Sequence, residues 1–146
     1  MPINYEEGKI YKLVNNTSTD CYYGSTCDHL HKRKHGHKTD YKKFLAGTRH
    51  FITSFKILEP LVDDCDIVLV EAFPCSNKQE LHARERWWIE NNECVNKVIP
   101  TRTTKEYRED NKDKINQQNK EYRDANKDKI RQQQKEYRER KKNITA

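Results

Sequence analysis

The sequence predicts an α/β chain of the α+β kind, a small three-stranded antiparallel sheet flanked by helices and followed by a long charged C-terminal helix. Three observations predict it. Two tyrosine-bearing strand signals, Lys9-Ile10-Tyr11 and Tyr22-Tyr23-Gly24, flank a polar turn rich in Asn, Thr, Ser and Asp. A β-branched run follows from Asp66 to Phe73, and after Pro100 the chain has neither glycine nor proline and repeats every 15 residues.

The first two signals read as a β-hairpin. Residues two apart on a strand share a face, so Tyr11 goes with Leu13 and Tyr22 with Gly24. If the register puts both tyrosines on one face, their hydroxyls converge, and Gly24 leaves an opening there for a ligand backbone. Next, Asp28 is expected to cap a helix through Leu30, Arg33 and His37, at i, i+3 and i+7 on one face. Gly36 weakens it, so His37 is expected on a last, frayed turn. His29, His31, His35 and His37 crowd nine residues, but their spacing completes no familiar zinc set. They read instead as part of a solvated basic helix.

Tyr41 to Leu45 predicts a second short helix that stops near Gly47. Phe51 to Leu58 is either a strand or a helical turn, ended by Pro60. Asp66 to Phe73 is nearly continuous in apolar residues, as a central strand buried on both faces would be. Ser76 followed by Gln79 predicts a capping box that opens a helix to about Asn92. On that helix Leu81, Glu85, Trp88 and Asn92 form one stripe, so Glu85 shares its face with a leucine and a tryptophan. A carboxylate there needs a cation or strong donors. It can be a divalent metal ligand, or simply the ion-pair partner of Arg84, Arg86 or Arg33. Residues 93–99 form a short closing segment, in which Asn96 is either a turn-stabilising side chain or a site residue.

These residues carry a resemblance to the GIY-YIG endonuclease family, over Gly8 to about Pro100. Lys9 stands for the first glycine of its name and Tyr23 for the second isoleucine. Leu30, Arg33 and His37 match the run that follows the second motif, and Arg84-Glu85-Arg86-Trp87-Trp88-Ile89 is similar to the family's helix bearing a glutamate. The resemblance implies a metal-dependent endonuclease acting on DNA, with catalytic Tyr11, Tyr22, Arg33, His37 and Glu85. It implies that Glu85 holds a single divalent ion, Mg²⁺ or Mn²⁺, that Tyr11 is the general base, and that Asn96 lies near the substrate. Gly24 and Lys32 are further substrate-binding candidates.

The chemistry is consistent with those residue types. Phosphodiester hydrolysis needs charge neutralisation on the phosphate oxygens and an activated water. Arg33 offers a planar fork of donors, and a metal on Glu85 offers Lewis acidity. A tyrosine base needs a cation to lower its pKa, and Arg33, Lys32 or the metal can supply one.

Composition sets the frame. The 146 residues divide naturally into a nuclease-like domain over 1–100 and a helical extension over 101–146. With 33% hydrophobic and 36% charged residues, one core does not span the whole length. Five cysteines, none in a C-x-x-C pair, read as free thiols in a reducing, intracellular setting, cytoplasm or nucleus. No signal peptide or transmembrane segment is expected. The net charge of +6 favours polyanionic partners, DNA first and possible RNA second, and +5 of it lies from Lys105 onward.

The extension reads KEYREDNKDKINQQN, KEYRDANKDKIRQQQ, KEYRER, with Tyr107, Ile115, Tyr122, Ile130 and Tyr137 on a thin stripe. Three roles compete for it: a DNA-tracking helix with Lys and Arg beside Tyr, a solvated spacer, and weak self-association through the stripe. Chains with such repeated basic tails resemble those of large DNA viruses, and the family also includes mobile-element proteins. The alternatives to a DNA endonuclease are a non-catalytic nucleic-acid-binding protein that keeps the fold, and a structure-selective nuclease on RNA or branched DNA.

Overall fold

The computed structural model describes residues 2–59 and 62–145, with only the backbone of Thr145. They fall into two compact units, Met1–Thr101 and Arg102–Ala146. The expected stop at Pro60 lies outside the described residues.

In the first unit, strands β1 (Lys9–Asn15), β2 (Ser18–Thr26) and β3 (Cys65–Ala72) form an antiparallel sheet in the order β2-β1-β3. The hairpin forms as predicted. Tyr11 lies opposite Gly24 and Leu13 opposite Tyr22, so both tyrosines share a face. Asn15, buried at the register shift before the turn, accepts from the Thr17 amide and hydroxyl and donates to the Ile57 carbonyl. One side chain thereby ties the hairpin to the helix beneath it.

The central strand is β1, not the apolar run expected there. Ile10, Tyr11 and Leu13 are fully covered, whereas Val68 and Leu69 on β3 are 39% and 49% exposed. An unbroken apolar run marks a strand that touches the core and says nothing of whether a neighbour pairs on each side.

Helix α1 (Leu30–Leu45) covers the Tyr11 face, and its Tyr41 clusters with Tyr11, Leu13, Phe55, Ile57 and Leu58. It departs from expectation in three ways. Its N-cap is His29, without a side-chain bond, while the Asp28 carboxylate accepts from Lys32 one turn on. It runs straight through Gly36, joining what looked like two helices. His37 and Tyr41 are consequently both buried in its middle. Burial of those two rings outweighs the roughly 1 kcal/mol that a mid-helix glycine costs. The helix stops where expected, with Gly47 at φ 75° and the Gly47 and Thr48 amides bonded back to Phe44 and Lys43.

Of the stretch 51–58, only α2 (Phe55–Leu58) is regular, and it is helical. Helix α3 (Lys78–Glu90) covers the opposite face, where Leu81 packs against Ile10 and Cys75. Its cap lies one residue beyond the expected box. Asn77 accepts from the Glu80 amide, and Glu80 reaches back to the Ser76 amide.

The second unit is helical throughout, as α4 (Thr104–Asp110), α5 (Lys112–Ala125) and α6 (Lys127–Thr145). Thr103 and Glu106 close a full capping box at its start. Asn111 and Asn126 punctuate the helix, each with φ near −110° and its side-chain amide donating 2.8 Å to the carbonyl of the tyrosine four residues back. Backbone bonding continues across both: Asn111 and Asn126 donate to those same carbonyls, and Ile115 and Ile130 donate to the asparagines. Among the described residues no helix is long and apolar enough to cross a membrane.

Candidate active site

Tyr11 is the hub of the site. Arg33 Nε donates to its hydroxyl at 2.9 Å, and His37 Nε2 lies 2.8 Å from the same oxygen. Helical spacing explains this, since Arg33 and His37 are four residues apart on the inward face of α1 and reach one atom from successive turns. The Tyr22 ring packs edge-on to His37, with centroids 6.0 Å apart. Gly24 is required here for a reason other than the expected one. A Cβ at Gly24 would sit 2.4 Å from the Tyr11 hydroxyl, so the space it leaves is filled by that phenol rather than open to a ligand.

Burial sets the protonation states. His37 is pushed down to about 3 by burial and by the nearby Arg33 cation, so it is neutral at ordinary pH. The Tyr11 hydroxyl accepts from Arg33 and shares a hydrogen bond with His37 Nε2, whose direction follows the imidazole tautomer. Burial raises the pKa of Tyr11 well above its ordinary value, although Arg33 opposes this, and burial also raises Tyr22. Tyr11 has no exposed surface. Contact with a water in solvent, as a general base needs, is not available to it in this arrangement. Its bonds fit it to aim Arg33 and hold His37.

Glu85 reaches the cluster from the other side of the sheet. Ser25 follows Gly24 on β2 and faces α3; its hydroxyl donates to Glu85 Oε2 at 2.5 Å, and its backbone amide also bonds that carboxylate. Burial raises the pKa of Glu85, while Ser25 and Arg33 work to keep it charged. Of the three arginines open as its partner, Arg84 binds Glu71 through two nitrogens and Arg86 pairs with Glu90. Arg33 is the cation whose field it feels. The site therefore straddles edge strand β2, with Tyr11, Tyr22, Arg33 and His37 in contact on one face and Glu85 coming over from α3.

The remaining candidates play other parts. Asn96 holds the Tyr23 backbone at both ends, accepting from its amide at 2.9 Å and donating to its carbonyl at 2.8 Å. With the Val95 amide on the Cys21 carbonyl, it closes the outer edge of β2 up to Tyr23, and Glu85 takes over at Ser25. Lys32 is exposed and paired with Asp28, outside the cluster.

Neither Ser25 nor Glu71 stands out in the sequence alone. Glu71 accepts from Arg84 and from the Trp88 indole at 2.8 Å, pinning α3 to β3; a lone carboxylate in an apolar strand, 13 residues before an arginine, was the only sign of it.

No group of three metal-ligating side chains occurs among the described residues. A single carboxylate, partly desolvated, still suits an ion that keeps most of its waters and takes the rest of its ligands from phosphate, as Mg²⁺ does. Comparison of the chain with protein-family models, with curated proteins and with solved structures found no match.

Proposed function

We propose that the chain is a metal-dependent endonuclease of the GIY-YIG kind that hydrolyses DNA, with a basic helical tail that adds affinity. The observation that carries this reading is the convergence on one edge of β2 of a guanidinium aimed by a phenol and a desolvated carboxylate fixed by Ser25. Five residues spread from position 11 to position 85 supply it, and no packing need alone explains a buried Arg-Tyr-His cluster beside a carboxylate.

In this reading Arg33 binds the non-bridging phosphate oxygens, its approach fixed through Nε, which leaves the terminal nitrogens for the substrate. Glu85 would hold a divalent ion, which would supply Lewis acidity at the phosphate oxygens. Tyr11 and neutral His37 are positioning residues. Tyr22, which keeps some access to solvent, orients the attacking water.

The test is supercoiled plasmid with Mg²⁺ or Mn²⁺, comparing the wild type with Glu85→Ala and Arg33→Ala. Nicking by the wild type that falls at least 100-fold in both variants supports the reading. If none of the three cuts and all shift DNA equally in a gel, the non-catalytic binding protein replaces it. If RNA or branched DNA alone is cut, the chemistry stands and the substrate changes.

A further inference from the structure

The tail carries a more specific pattern than its net charge. Each repeat places Lys, Arg and Lys at steps of three and four: Lys105, Arg108 and Lys112, then Lys120, Arg123 and Lys127, then Lys135, Arg138 and Lys142. Such steps fall within about 60° of arc on an α-helix. Lys105, Arg108 and Lys112 accordingly line one shallow groove on the helix surface beside Glu109, and Lys135, Arg138 and Lys142 line another beside Arg131, Gln134 and Glu139.

The acids occupy a different arc. Glu106, Glu109 and Asp113, repeated as Glu121, Asp124 and Asp128, centre about 100° around the helix from the cations. The tyrosines stand about 130° from these triads, beside other cations such as Arg102 over the Tyr107 ring. Tyr107, Tyr122 and Tyr137 are 50%, 64% and 66% exposed on that separate face. Each repeat thus has a cationic face free of aromatic rings, with one acid, Glu109, Asp124 or Glu139, at its margin.

Resting on the nuclease reading for its ligand, we infer that each 15-residue repeat is a separate three-cation clamp for the phosphate backbone of a DNA duplex, reading charge and not bases. The chemistry follows from what the face contains. Three cations on one arc with no stacking ring between them each take a phosphate oxygen and neutralise its charge. Keeping Glu106, Asp113 and their counterparts on another arc lets a weakly charged segment bind a polyanion while facing it with one carboxylate per repeat. Successive clamps lie about 22 Å apart and turn by about 60° on a regular helix, so each meets its own phosphates and their contributions add.

The experiment measures the salt dependence of the full chain's binding to a 40-base-pair duplex without added metal. Replacing one triad by glutamine should lower the log–log salt slope by about 2.7, and each further triad should lower it by a similar step. A mixed-sequence and an alternating A·T duplex should respond alike, and Tyr107→Ala, Tyr122→Ala and Tyr137→Ala should change nothing. A charge-conserving variant, Lys120→Glu with Glu121→Lys and Arg123→Asp with Asp124→Arg, keeps the net charge and moves cations to the acidic arc. It should lose about two-thirds of a step, and an unchanged slope there would overturn the clamp. So would loss of all tail-dependent binding with the first triad, or a slope loss that tracks dissociation of a tail-mediated dimer in sedimentation. Uncut plasmid together with intact stepwise slopes would refute the nuclease reading and keep the clamp; cleavage with no steps would do the reverse.

Discussion

Tyr11 and Tyr122 are the same side chain in opposite circumstances. Tyr11 has no exposed surface and holds Arg33 and His37 by its hydroxyl, whereas Tyr122 is 64% exposed and contributes its backbone carbonyl to a neighbouring asparagine. The difference runs through the whole chain. Residues of the first unit are placed by partners far away in sequence, such as Asn96 on Tyr23 or Ser25 on Glu85. Those of the second are placed by neighbours four residues away, such as Gln117 on Glu121 and Gln132 on Glu136. Tertiary packing gives one unit a single cooperative structure, and helix propensity with local bonds gives the other its order.

Acid should separate the two most strongly. His37 has a folded pKa of about 3 against an ordinary value of 6.5, so between those limits only the unfolded chain takes up the proton. Stability of the first unit therefore falls as pH drops through that window and levels off below it, by on the order of 5 kcal/mol in all. All six histidines precede the tail, which has no such group. Tryptophan emission reports the first unit alone, since Trp87 and Trp88 both lie on α3. Denaturant unfolding followed by that emission should show the loss, and His37→Gln should flatten it. An equal slope in His37→Gln would show that His37 is not the group responsible.

Gly24→Ala is the next largest effect. Its Cβ must displace the Tyr11 phenol, at about 3 kcal/mol. Ala125→Leu on the exposed tail should change stability by less than about 0.5 kcal/mol. Comparable costs at the two positions would dissolve the contrast.

Tyr11→Phe removes an acceptor from Arg33 and a hydrogen-bond partner from His37, which costs about 2 kcal/mol in unfolding. If cleavage is present, it should fall in Tyr11→Phe more than in a variant equally destabilised elsewhere in the core, because Arg33 loses its aim. Equal activities at equal stability would make Tyr11 purely structural. The smallest change is Thr103→Ala, which loses the tail's capping box. It should lower helicity at the start of α4 by about 1 kcal/mol of local stability and leave tryptophan emission untouched.

The sequence made some of this legible and hid the rest for physical reasons. The hairpin, the inward stripe of α3 and the tail helix follow from period and turn chemistry, which are local. The length of α1 did not, because Gly36 signals a break that only burial of His37 and Tyr41 overrules. β3 looked central because an apolar run records contact with the core and not the number of paired neighbours. Of the site, Arg33, His37 and Tyr11 could be put on one side from spacing alone. That Gly24 would be filled by Tyr11, and that Ser25 would fasten Glu85, depend on strand register and on a helix 60 residues away.

Asn111 and Asn126 hold one further consequence. They interrupt successive repeats at the same place, each bonded to the tyrosine of its own repeat. A block cut between two such points rejoins into an identical junction, so recombination within the coding sequence can duplicate or excise a repeat without creating a misfit. The length of the second unit can be retuned over generations in whole steps while the first stays unaltered.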